Sequence, residues 1–156
     1  MVEIKVKVQV DAPLEKVWEV ISNVNDDPKY WTLMKGIRNI SKGEREISRE
    51  VTLGKTEKCG QTVIFSPIES LRVLWTKGVI RGTKDFVLTP LGKGTLLEIS
   101  MDYKISGPAR FFPGRITDEL HMEAEIAADL IKEKAEGRPH HIPMEERKMW
   151  ADLIRG

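Results

Sequence analysis

From Ile116 to about Glu136 the chain carries neither Gly nor Pro, and Ala, Glu, Leu and Lys dominate. Such residues favour the helix, so the run predicts the longest helix of the chain. Gly137 is a natural C-terminal stop, with Pro139 following it. What precedes this helix makes it constraining. Segments at about 37–43, 46–54, 59–66, 70–78, 80–89 and 95–105 read as strands. They are punctuated by Lys42-Gly43-Glu44, Gly54-Lys55, Ser66-Pro67, Lys77-Gly78 and Pro90-Leu91-Gly92-Lys93-Gly94. A spacing of about ten residues with short turns predicts an antiparallel meander. A long helix after a meander buries its apolar stripe against that sheet.

The N-terminus adds a strand. Val2, Ile4, Val6, Val8 and Val10 alternate with Glu3, Lys5, Lys7 and Gln9, the pattern of a half-buried strand. Asp11 is a candidate N-cap ahead of Pro13. Val17, Trp18, Val20 and Ile21 have helical spacing, and Asn25-Asp26-Asp27-Pro28 restarts the chain as a second short helix carrying Tyr30, Trp31 and Leu33. The predicted fold is α+β: a curved antiparallel sheet of about seven strands around a long C-terminal helix, with two short helices after the first strand. The domain is expected to span residues 1–138. Residues 139–156 form a tail with a short amphipathic helix, where Met149, Trp150, Leu153 and Ile154 share a face. That patch is expected to dock on the domain or on a second copy, giving a possible homodimer.

Composition limits the partners. The chain has 156 residues, suited to one domain, with 25 basic and 24 acidic side chains and a net charge of +1. Both signs are interspersed, so no positive stripe favours nucleic acid or an anionic membrane surface. No apolar run approaches a membrane span, and the N-terminus lacks a signal-peptide core. A cytoplasmic location is the expectation. Cys59 is the single cysteine, so no internal disulfide forms. His121, His140 and His141 lack the spaced partners of a metal site, and no cofactor motif occurs.

The opening Val8-Gln9-Val10-Asp11-Ala12-Pro13-Leu14-Glu15-Lys16-Val17-Trp18 resembles the START-like (SRPBCC) superfamily, which includes the polyketide cyclase/dehydrase and coenzyme Q-binding families. Pro28-Lys29-Tyr30-Trp31, the hairpin from Thr83 to Tyr103 and the long helix extend the resemblance over about residues 2–136. It implies a helix-grip fold with a deep cavity between sheet and helix for a lipid, quinone, polyketide or aromatic molecule. It carries no catalytic positions over, because the superfamily shares no catalytic motif.

Within that frame the candidate binding residues follow from periodicity. Ile116, Leu120, Ala124, Ala127, Leu130, Ile131 and Ala135 share one arc of the long helix. Its small residues permit either close packing on the sheet or an open space, and the resemblance implies the space. A cavity of a few hundred cubic ångströms, about the usual size of a ligand site, is expected between Ala124 and Ala127 and the strand residues Phe86, Leu97, Ile99 and Met101. Glu123 falls inside the arc, where a carboxylate is a buried structural partner or a ligand contact. Arg49, Gln61 and Tyr103 share the inward parity of their strands and are expected to meet Glu123 at a polar end of the pocket. Phe111 and Phe112 precede the long helix, where the superfamily has its cavity mouth; they gate that mouth or plug the junction. Binding or transport of a small hydrophobic molecule is the expected function. The alternatives are a cyclase or dehydratase in the same cavity and an interaction module of the co-chaperone activator type.

Overall fold

The N-terminal strand β1 (Val2–Val10) does not pair with its sequence neighbour but with the last strand, β7 (Gly94–Ile105), antiparallel from Val2 opposite Tyr103 to Val10 opposite Thr95. Between these lie β2 (Met34–Lys42), β3 (Glu46–Leu53), β4 (Glu57–Ser66), β5 (Ser70–Lys77) and β6 (Ile80–Leu91). The seven strands are ordered β1-β7-β6-β5-β4-β3-β2, so β1 and β2 occupy opposite edges. The computed structural model describes residues 2–137; the tail residues Met149, Trp150, Leu153 and Ile154 and the tail-mediated dimer lie outside them.

This order makes the chain after Val10 travel from one edge of the sheet to the other. The crossing consists of α1 (Leu14–Ser22), a 3₁₀ turn (Val24–Asp26) and α2 (Asp27–Tyr30). Val17, Ile21, Val24, Tyr30 and Trp31 are buried beneath it in the single core. Pro13, not Asp11, takes the N-cap position of α1. The Asp11 backbone N–H donates instead to the Glu136 carboxylate at 2.7 Å.

The long helix α3 (Pro113–Glu136) begins at Pro113, which fits the first turn because proline lacks an N–H that would go unpaired there. Gly137, at φ +70°, ends it in the left-handed region as expected. Its closest neighbours are β1 and α1. Ala124, Ala127 and Ala128 are fully buried. The small residues therefore serve close packing, and the large cavity expected opposite Ala124 and Ala127 does not form. No described helix is long and apolar enough to cross a membrane.

Along β6 the inward-facing residues are Ile80, Gly82, Lys84, Phe86 and Leu88. Gly82 sits between Trp75 on β5 and Tyr103 on β7. Its φ is +132°, and a Cβ would lie 2.0 Å from the Asp102 carbonyl oxygen. With no side chain between them, the two aromatic rings meet edge to face, centroids 5.8 Å apart. Gly82→Ala is expected to lower stability by at least about 1–3 kcal/mol, the scale of an imposed strained backbone, measurable as a fall in the urea midpoint. An unchanged midpoint would show that β6 can relax there.

Candidate functional site

Two groups of buried polar residues face the interior, and they are separate. The first is centred on Arg49 of β3, which is 1% exposed. Its guanidinium donates from Nη2 to Asp27 Oδ2 at 2.6 Å, from Nε to Gln61 Oε1 at 2.9 Å and from Nη1 to the Val24 carbonyl at 2.9 Å. A planar fork with several fixed donors suits this task, whereas a lysine would offer one point charge. Gln61 stands directly opposite Arg49 in the β3–β4 pairing. Asp27 and Val24 belong to the crossing segment, so Arg49 ties that segment to β3, beside the edge strand β2. Burial pushes the Asp27 carboxyl up, and Arg49 opposes the rise.

The second group lines a small cavity beside α3. Leu53, Trp75, Ile80, Lys84 and Tyr103 contribute from the sheet, Trp31, Leu33 and Met34 from the crossing segment and the start of β2, and Leu120 and Glu123 from α3. The free volume is about 20 Å³, room for a single water. Leu33, 41% exposed, lies at its rim. Lys84 is 2% exposed, and its ammonium lies 3.6 Å from the centre of the Trp31 ring. That ring is held edge-on to Phe86 at 6.0 Å. Burial lowers the Lys84 pKa to about 8, with Asp27 and Glu123 resisting the fall.

Glu123 is 9% exposed and accepts a hydrogen bond from the Leu33 backbone N–H at 2.7 Å. Burial raises its carboxyl, with the Leu33 N–H, Lys84 and Lys35 pulling the other way. Burial also pushes the Tyr103 phenol up, so the ring stays neutral.

Of the residues expected to form the pocket, Tyr103, Leu120 and Glu123 line this cavity. Arg49 and Gln61 point inward as their parity requires but do not reach Glu123. Arg49 is claimed by Asp27, while the end of the crossing segment brings the Leu33 N–H to Glu123. Phe86 lies one contact away, behind Trp31. Leu97, Ile99 and Met101 are buried in the core with Ala124 and Ala127. Phe111 and Phe112, at the 3₁₀ turn Pro108–Phe111, are 67% and 63% exposed and outside the cavity lining.

Lys84 was legible but missed. It stands two residues before Phe86, and the parity that turns Phe86 inward turns Lys84 inward too. The crossing segment's Asp27 had no comparable signal.

The Arg49 cluster makes a stability prediction. Arg49→Met strands Asp27 without its counter-charge and is expected to cost about 3–5 kcal/mol. Adding Asp27→Leu is expected to recover most of that loss. Burial favours the protonated Asp27 in the single variant, so its deficit should shrink as pH falls. Urea denaturation of the three proteins measures each step. A single variant as stable as the double would overturn this account.

The arrangement has counterparts. No curated protein matches the sequence. A family model described as polyketide cyclase/dehydrase and lipid transport matches residues 1–135. Among solved structures, TTHA0849 from Thermus thermophilus superposes with a TM-score of 0.74 at 14% identity, over 85% of this chain and 96% of that one. A START superfamily protein from Mycobacterium smegmatis gives 0.62 at 18% identity, over 86% and 94%. The Zhui aromatase/cyclase from Streptomyces sp. R1128 gives 0.53 at 15%, over 86% and 88%. At these identities the structural likeness is one of fold. The family match spans nearly the whole described domain, and the chain belongs to the polyketide cyclase/dehydrase and lipid transport family.

Proposed function

We propose that this protein binds a small hydrophobic molecule, of lipid, quinone, polyketide or aromatic type, between its sheet and α3. The observation that carries the reading is the cavity wall itself. Trp31, Met34, Leu53, Trp75, Ile80 and Leu120 form an apolar lining, and Lys84, Tyr103 and Glu123 put a few polar groups on it. That is the usual composition of a small-molecule site. The volume of about 20 Å³ describes a closed state. A ligand must widen it toward the several hundred cubic ångströms typical of such sites. Met34 and Leu120 are unbranched or γ-branched side chains with alternative rotamers, and Leu33 already reaches the surface. Opening from the Leu33 rim therefore requires no strand to separate.

A second reading has its own observation. Glu123 and Lys84 line the same cavity, and burial moves the carboxyl up and the amine down to about 8. An acid and a base displaced toward neutral pH suit proton transfer, as a cyclase or dehydratase would need.

Leu120→Trp should fill the cavity. Uptake of an apolar fluorophore is expected to fall at least about tenfold, the effect of losing roughly 1.4 kcal/mol of binding, with the far-ultraviolet circular dichroism unchanged. Undiminished uptake would place binding elsewhere and end this reading. The two functions separate with Glu123→Gln, applied to a ligand identified by mass spectrometry of extracts from the purified protein. A carrier keeps the ligand and leaves it chemically intact, in wild type and variant alike. An enzyme converts it, and the variant binds without converting.

A further inference from the structure

We propose that the molecule bound in this cavity is a carboxylic acid, with its carboxylate held by Lys84 and Trp75 and its apolar body between the aromatic walls. The proposal rests on the ligand-binding reading above and adds the chemistry of the ligand's head group.

Two donors of the cavity have no acceptor. Lys84 is 2% exposed, yet among the described residues its ammonium has no hydrogen bond and no ion pair; it rests on the Trp31 face at 3.6 Å. An ammonium carries three donors, and a ring face answers them weakly. The Trp75 Nε1 is buried with no acceptor. It lies near the Tyr103 hydroxyl without the geometry of a hydrogen bond. Both side chains line the same space. Buried donors left unpaired are costly and uncommon. Two of them facing one cavity mark the position of an acceptor that arrives with a ligand, and a negatively charged oxygen answers an ammonium best.

The surrounding charges decide how such an anion is tolerated. Lys84 on β6 faces Asp27 from α2, Arg49 from β3 and Glu123 from α3. Asp27 and Arg49 neutralise each other at 2.6 Å. Tyr103 from β7 stays neutral, and Lys35, at the start of β2, acts on Glu123. An ionised Glu123 would oppose an incoming carboxylate. Its affinity for a proton is already raised by burial, and a second carboxylate raises it further. An incoming carboxylate therefore drives Glu123 further toward its protonated form. The protonated carboxyl becomes a donor for the ligand's second oxygen, while its other oxygen keeps the Leu33 N–H. Like charge is converted into a hydrogen bond.

The test compares 2-naphthoic acid with 2-naphthylmethanol, which share an apolar body and differ in charge. Both are titrated into the full-length protein by tryptophan fluorescence and calorimetry. The acid is expected to bind about tenfold or more tightly than the alcohol near neutral pH, the scale of one charge-assisted hydrogen bond. Its advantage should begin to fall as pH rises past about 8, where Lys84 of the free protein loses its proton. Calorimetry in buffers of different ionisation enthalpy should show proton uptake with the acid and none with the alcohol. Lys84→Met should erase the acid's advantage and leave alcohol binding intact. Trp75→Phe, which keeps a ring and removes the N–H, should weaken the acid alone and decides the matter if Lys84→Met does not fold. Equal affinity for the two probes, or an advantage that survives Lys84→Met or Trp75→Phe, overturns the carboxylate assignment and leaves the cavity reading standing. Failure of both probes to bind wild type overturns both.

Discussion

Arg49 is a charge on β3, one strand in from the β2 edge of the sheet, buried to 1% exposure, and the segment crossing above it supplies what makes that burial tolerable. A lone guanidinium in this position would forfeit several kcal/mol of hydration. Asp27 provides the counter-charge, and the Val24 carbonyl and Gln61 amide take further donors. The consequence is positional. The path from β1 to β2 is held to one depth above the sheet, and that depth sets where Trp31, Leu33 and Met34 stand. They are the near wall of the cavity. The polar cluster thus shapes the site without lining it.

The sheet supplies the far wall by an equally simple device. With no side chain at Gly82, Trp75 and Tyr103 close over β6 and touch each other. One position further along that face, Lys84 rises into the space. Around it the free space amounts to about 20 Å³. The packing of Ala124, Ala127 and Ala128 brings α3 close to β1 and α1.

Much of this was legible in the amino-acid order. Period-two alternation in residues 2–10 and 95–105 and the uninterrupted helical run after Ile116 carried the architecture. Parity alone turned Arg49, Gln61 and Tyr103 inward, and the helix phase buried Glu123. What parity cannot convey is who meets whom. Strand alternation states that a side chain points in, while its partner depends on the path of the connecting segment. Asp27 sits in Asn25-Asp26-Asp27-Pro28, where the second short helix starts, and nothing local distinguishes it from Asp26. The partner of Glu123 is a backbone N–H, a group every residue but proline carries, so no sequence pattern could point to Leu33. Ala124 and Ala127 failed for another reason: a small residue is compatible with a void and with close approach, and tertiary packing chose the second.

The fastening of β1 to the end of α3 bears on how the chain comes to be folded at all. The Asp11 N–H reaches Glu136 across a separation of 125 residues, and the Gln9 carbonyl accepts from Lys132. Among the described residues, β1 is thus completed by the last strand, β7, and the last helix, α3. During synthesis β1 emerges long before its partner exists, and non-local closure of this kind is slow. Lys5 and Lys7 on its outer face are the sort of charges that discourage a waiting strand from pairing with a stranger. Until β7 has left the ribosome, β1 is an orphan strand beside a growing meander, and until α3 follows, the crossing between them has no roof.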